Sequence, residues 1–197
     1  MQVSILNNEH NIKLYDWSDT LSETHNDEIC KVARLMFKSG EYRKDDHPLY
    51  TTVGNPFMDR PEQIWSTMRE TFLASCKHYI GSEYKVISTQ SRVTMMREDA
   101  SIDNEEMWHD HINDTNLDSK NLAGIWFVNV PKELALTGCA GTEFAYNWPN
   151  TDNTVYHGPV NLSWLIFPST LQHRPGLLHS SLYRFVMSAD LEYALIV

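Results

Sequence analysis

Trp108-His109-Asp110-His111-Ile112-Asn113, followed after a polar loop by the apolar run Leu122 to Val130, is the stretch on which the reading of this chain turns. Two histidines one residue apart present both imidazoles on one face where the chain is extended. The run behind them is far shorter than the roughly 20 residues of a membrane span and reads as a strand. A third histidine, His173, ends the later stretch Phe167-Pro168-Ser169-Thr170-Leu171-Gln172-His173, and Arg184 lies beyond it.

Working outward, the rest of the C-terminal part alternates polar and apolar residues. Strands are expected at Tyr84 to Thr89 and Arg92 to Met96, ahead of an acidic loop over 97–106. After the histidines, strands are expected at Leu122 to Val130, Thr142 to Asn147, Val160 to Phe167, Leu182 to Ser188 and Tyr193 to Val197. The N-terminal part differs in texture. Short strands are expected at Gln2 to Leu6 and Ile12 to Tyr15. From Ser22, Ile29, Val32, Leu35 and Met36 fall on one helical face, with Gly40 as the stop. Residues 41–60 read as a long irregular connection that, like the acidic loop, could cover a pocket. Pro61 opens a second helix, with Glu62 in its first turn. Its broad stripe, Ile64, Trp65, Met68, Phe72, Cys76, Tyr79 and Ile80, needs a flat partner. A sheet supplies one.

Helices followed by seven or eight closely spaced strands predict a mainly β fold with supporting α-helices, a β-sandwich or jelly-roll barrel. At 197 residues and 42% apolar content, one domain spans 1–197, with helical support over 1–82 and a β-barrel core over 83–197. A net charge of −10 without a basic run argues against nucleic acid. Cys30, Cys76 and Cys139 form no CxxC pair and read as reduced thiols of an intracellular, cytoplasmic protein. The N-terminus lacks the pattern of a signal peptide, and no stretch suits a membrane.

The histidine pair alone is a weak signal among nine histidines. His173 strengthens it, because a histidine at a strand exit facing an enclosed pocket completes a mononuclear metal site. Period 2 puts Arg184, Val186 and Ser188 on one face. A guanidinium on the inner face of a barrel needs a partner; a carboxylate-bearing ligand would meet it bidentately, with the Ser188 hydroxyl adding a hydrogen bond. On an outer face, Arg184 would make an ordinary salt bridge instead.

These residues together resemble the iron(II)- and 2-oxoglutarate-dependent dioxygenases of the double-stranded β-helix fold, over roughly residues 84 to 197. His111 to Asn129 looks like the metal-motif-to-strand segment of the prolyl hydroxylases. Gly141-Thr142-Glu143-Phe144 looks like a glycine–threonine–phenylalanine element of that family. Ile166 to Ser169, His173, Arg184 and Ser188 look like its distal histidine and its clamp for the 2-oxoglutarate carboxylate. The spacing HDHIN is similar to a branch common in bacteria and bacteriophages, which implies a bacterial or phage-infected cell as the setting. The resemblance implies an oxygenase that hydroxylates a C–H bond using Fe(II), 2-oxoglutarate and O2, with ascorbate supporting. It implies a peptide, protein or small-molecule substrate, peptidyl proline first, and no catalytic side chain beyond the metal ligands.

The family's first motif is His-x-Asp or His-x-Glu, and neither histidine here has an acid two residues on. Either His109, His111 and His173 form a three-histidine site, or His111 is the first ligand and Asn113 or Asp114 takes the acid's place. Neutral imidazole is the better ligand for iron, which favours the first. Asp110 would then point away from the metal and could orient a ligand. Trp108, Trp126 and Trp148 are candidates for a substrate groove. Two other classes remain: a cupin-type metalloprotein that does not use 2-oxoglutarate, favoured if Arg184 points outward, and a non-catalytic β-sandwich binding protein.

Overall fold

Along the strand Lys120–Asn129 (β6), Leu122, Trp126 and Val128 face one way and Ala123, Ile125 and Phe127 the other, and all six are buried. A strand apolar on both faces belongs inside a layered structure. The computed structural model describes residues 1–44, 49–96, 107–111, 120–136, 140–176 and 182–196. Before β6 come β1 (Gln2–Asn7), β2 (Ile12–Asp16), α1 (Glu23–Lys38), β3 (Tyr42–Lys44), β4 (Leu49–Thr52), α2 (Pro56–Asp59), α3 (Gln63–Ile80) and β5 (Tyr84–Met96). After it come α4 (Lys132–Leu136), β7 (Thr142–Asn147), β8 (Asn150–His157), β9 (Ser163–Pro168), β10 (Gln172–Pro175) and β11 (Arg184–Leu195).

Eight strands form one sheet in the order β1-β2-β9-β6-β11-β5-β4-β3, and three form another, β10-β7-β8; the pairings are antiparallel. The large sheet carries α1 and α3 on one face. Trp126, Trp164, Phe185, Met187, Ala189 and Leu191 meet Ile29, Met36, Met68 and Phe72 there. Its other face packs on the small sheet through Ala123, Ile125, Phe127, Leu165, Phe167 and Phe144.

Two polar contacts fix how the helices sit. Trp126 Nε1 donates to Asn26 Oδ1 of α1 at 2.8 Å, and Trp164 Nε1 donates to Thr71 Oγ1 of α3 at 3.0 Å. Buried indole N–H groups need such acceptors. Close approach of α3 also needs Gly124, where an added Cβ would stand 2.6 Å from Phe72 Cε2.

The mainly β architecture with buttressing helices is the expected one, and several local expectations change. The connection over 41–60 contains β3, β4 and α2, whose first turn begins with Pro56. Pro61 lies before the second long helix, which starts at Gln63 with Glu62 as its N-cap. Tyr84 to Met96 is one strand, as is Arg184 to Leu195, because each is paired along its whole length by the other. β8 had no clear alternation to announce it, and β10 is too short to show a period. The first 82 residues also supply four strands of the large sheet. Among the described residues, Cys30 and Cys76 are free and buried; Cys139 and the acidic loop 97–106 lie outside them. No helix among the described residues is long and apolar enough to cross a membrane.

Candidate metal and anion site

The histidine stretch runs extended along β10. His109 N donates to His173 O at 3.0 Å, His173 N to His109 O at 2.9 Å, and His111 N to Ser169 O at 2.9 Å. Alternation then turns His109 and His111 to one side and Asp110 to the other, where Asp110 Oδ2 accepts from Gln172 Nε2 at 2.7 Å. The three imidazoles meet, with ring centroids 5.2, 4.4 and 5.0 Å apart, and their ligand atoms lie within 4.8 Å of one another.

Each ring has its Nδ1 on an acceptor. His109 Nδ1 is 2.9 Å from Met107 O, His173 Nδ1 is 2.9 Å from Leu171 O, and His111 Nδ1 is 2.5 Å from Asp190 Oδ1. An imidazole that donates from Nδ1 holds its lone pair at Nε2, the arrangement that a metal ligand requires. Nε2 of His111 is buried without a hydrogen-bond partner. A buried nitrogen left in that state marks the place of an absent partner. Three imidazole nitrogens suit a first-row divalent metal such as iron. The residues fit the group.

Electrostatics agree. His173 is buried against Phe144 and Phe167. Desolvation, reinforced by His109 and His111, holds its pKa well below the usual histidine value. His109 stands where the cavity opens to solvent, and desolvation lowers its pKa less. Both rings are therefore neutral at neutral pH and ready to coordinate.

A cavity of about 330 Å³ adjoins the histidines and reaches Arg184, Val186 and Ser188. Arg184 is buried at 3% exposure. Its Nη1 donates to the carbonyls of Ala140 (2.6 Å) and Gly141 (3.0 Å), while its Nε has no partner. Desolvation draws its pKa down to about 10. Among the described residues no carboxylate pairs with this buried cation. Such a site favours an incoming anion.

Some sequence expectations do not survive the geometry. The carboxylate that meets one of the histidine rings is Asp190, while Asp110 accepts from Gln172. Trp126 is fully buried in the helix-facing core, and Trp108 packs beside Trp148 (ring centroids 5.9 Å) and under Arg174; none of the three tryptophans lines the cavity. Asn113 and Asp114 lie outside the described residues. Asp190 and Arg92 were missed. Their signal was the same period 2: continued past Arg184, Val186 and Ser188 it reaches Asp190, and Arg92 lies opposite Ser188 on β5.

Facing antiparallel sheets around a cavity, with helices outside, make a double-stranded β-helix, and solved structures share this fold. A prolyl hydroxylase from Trichoplax adhaerens, in complex with a hypoxia-inducible-factor peptide fragment, superposes with a TM-score of 0.60 at 13% identity, over 93% of this chain and 84% of that one. A Pseudomonas putida prolyl-4-hydroxylase gives 0.61 at 10% identity over 92% of both chains. The non-heme alpha-ketoglutarate-dependent carbocyclase SnoK from nogalamycin biosynthesis gives 0.65 at 12% identity, over 95% and 84%. No family model matches the sequence, and no curated protein matches it.

Proposed function

We propose that this protein is an iron(II)- and 2-oxoglutarate-dependent oxygenase that hydroxylates a substrate C–H bond, with peptidyl proline as the leading substrate. One observation carries the reading: a cavity holds three imidazoles with every Nδ1 committed to an acceptor, and beside them a buried guanidinium that no carboxylate of the described residues pairs. His109, His111 and His173 hold the metal. Arg184 and the Ser188 hydroxyl take the far carboxylate of 2-oxoglutarate. Met107, Ile125 and Val186 line the same cavity and keep water from the bound cosubstrate. Bound iron(II) supplies the oxygen chemistry by which 2-oxoglutarate, O2 and a C–H bond become succinate, carbon dioxide and a hydroxylated product. Ascorbate supports turnover by keeping the metal reduced.

The fold neighbours support this reading because prolyl hydroxylases and a small-molecule carbocyclase occur among them. Arg184 faces the cavity, and this weighs against a cupin-type protein without 2-oxoglutarate. The test is succinate formation from 2-oxoglutarate by purified protein with Fe(II), ascorbate and O2, with Arg184→Ala alongside. Succinate that vanishes in Arg184→Ala is expected. Failure to bind either iron or 2-oxoglutarate sinks the proposal and leaves a binding module.

A further inference from the structure

Among the described residues, the cavity lining is more cationic than one cosubstrate needs. Three of its lining residues, Arg43, Arg92 and Arg184, are arginines, and none of the described lining residues is acidic. That concentration stands out in a chain of net charge −10 with 16 lysines and arginines in all. Clefts lined with one sign of charge concentrate ligands of the other.

Arg92 is placed independently of Arg184. It stands on β5 opposite Ser188, whereas Arg184 stands opposite Met96. Four residues of strand, roughly 13 Å, separate the two rungs. The Arg92 ion-pair contact is a long one, Nη2 to Asp190 Oδ2 at 3.5 Å, and the other oxygen of Asp190 holds His111 at 2.5 Å. A guanidinium has five donors, and this one is about one-third exposed to the cavity side of the sheet. Its neighbours on the wall, Thr51 and Thr94, add hydroxyls, and Arg43 lies one strand beyond Thr51.

We infer that the cavity has a second anion station, formed by Arg92 with Arg43 beside it, that holds a carboxylate of the substrate itself near the histidines. This rests on the proposed function and narrows it: the substrate is an acid, either a small carboxylic acid or a peptide with an acidic side chain beside the reacting residue. A guanidinium recognises a carboxylate bidentately, and a neutral amide in the same place leaves its donors unmet. A site built around a polar group discriminates strongly against the analogue lacking it.

The test uses the full chain loaded with manganese(II) and 2-oxoglutarate without oxygen, and probes in acid–amide pairs. N-acetylproline is compared with N-acetylprolinamide, and N-acetylglycine with its amide. N-acetyl-aspartyl-prolinamide is compared with its asparaginyl counterpart. Binding is read from the relaxation of probe protons, which manganese enhances when the probe lies beside it. At least one acid is expected to bind about tenfold more tightly than its amide. In Arg92→Gln that preference falls to within about twofold, and Arg92→Lys recovers part of it. The first pairs and the aspartyl pair separate a free acid from an acidic peptide. Equal binding of every pair, or no acid bound at 10 mM, overturns the inference. So does loss of 2-oxoglutarate binding in Arg92→Gln without any acid preference in the unaltered chain, since Arg92 would then serve the cosubstrate. Loading of metal and 2-oxoglutarate is measured first. If loading fails, the proposed function falls, and the acid–amide ratio on the unloaded protein, read by saturation transfer with and without Arg92→Gln, still decides the inference.

Discussion

Asp190 shows how much one side chain decides. A site of three imidazoles lacks the negative charge that a carboxylate ligand would bring, and Asp190 places one beyond the His111 ring, at 2.5 Å from its Nδ1. Partners of this kind fix the ring and raise its basicity, and their loss costs about 10–100-fold in metal affinity. Asp190→Ala is therefore expected to weaken Fe(II) or Mn(II) binding within that range, with Asp190→Asn between the two, in metal titrations of the purified protein. Unchanged affinity in Asp190→Ala would remove Asp190 from the site. His109→Ala is expected to abolish metal binding and Asp114→Ala to leave it intact, by the same titration; the reverse result would favour the register that uses Asp114. That His109, His111, His173, Arg184 and Ser188 come together around one cavity was legible in sequence, because histidine spacing and strand alternation are local properties. Asp190 was not. Its meaning comes from a ring on a segment far away in the chain, and the expected strand stopped at Ser188.

At the level of elements, the two long strands β5 and β11 were each read as two shorter pieces. Polar Thr89 and Ser91 occupy buried positions of β5, while in β11 the alternation runs on through Asp190 and Glu192. Pairing along the whole length of both strands holds these polar residues in place, and such pairing is a non-local fact that alternation cannot show. The helices were easier, since their apolar stripes are complete in themselves. What the stripes do not reveal is how the helices are keyed to the sheet. Asn26 is buried at 2% exposure, accepts from Trp126 Nε1 and donates to Asn161 Oδ1 at 2.9 Å. Asn26→Ala leaves a buried indole N–H unpaired, and such a loss costs about 1–3 kcal/mol. Chemical denaturation should show that loss with little change in the denaturant slope. Gly124→Ala tests the same contact from the sheet side. Its methyl group meets Phe72 and Ile166 at less than 3 Å, so overpacking of about 1–3 kcal/mol is expected.

For the whole molecule, burial of titratable groups makes stability depend on pH with a predictable sign. His173, His109 and His157 have folded pKa values below the ordinary 6.5, with burial as the main cause. The unfolded chain therefore takes up protons first as pH falls through 6.5, and the metal-free protein loses stability below that point. The slope approaches about 1.4 kcal/mol per pH unit for each proton. Generic charge effects act the other way, because a chain of net charge −10 is relieved of repulsion as acid is added. An acid-side loss that sets in below pH 6.5 thus identifies the buried histidines. On the alkaline side, burial raises Cys30 from 9.0 to about 11 and Cys76 well above 9.0. These thiols contribute stability that is present below pH 9 and lost above it, as the unfolded chain ionises. Melting temperatures of metal-free protein are expected to be highest between about pH 7 and 8.5. His173→Leu should flatten the acid limb and Cys76→Ala the alkaline limb. A profile that keeps rising below pH 6.5 would mean that the buried histidines are charged in the folded state, where they could not hold a metal at all.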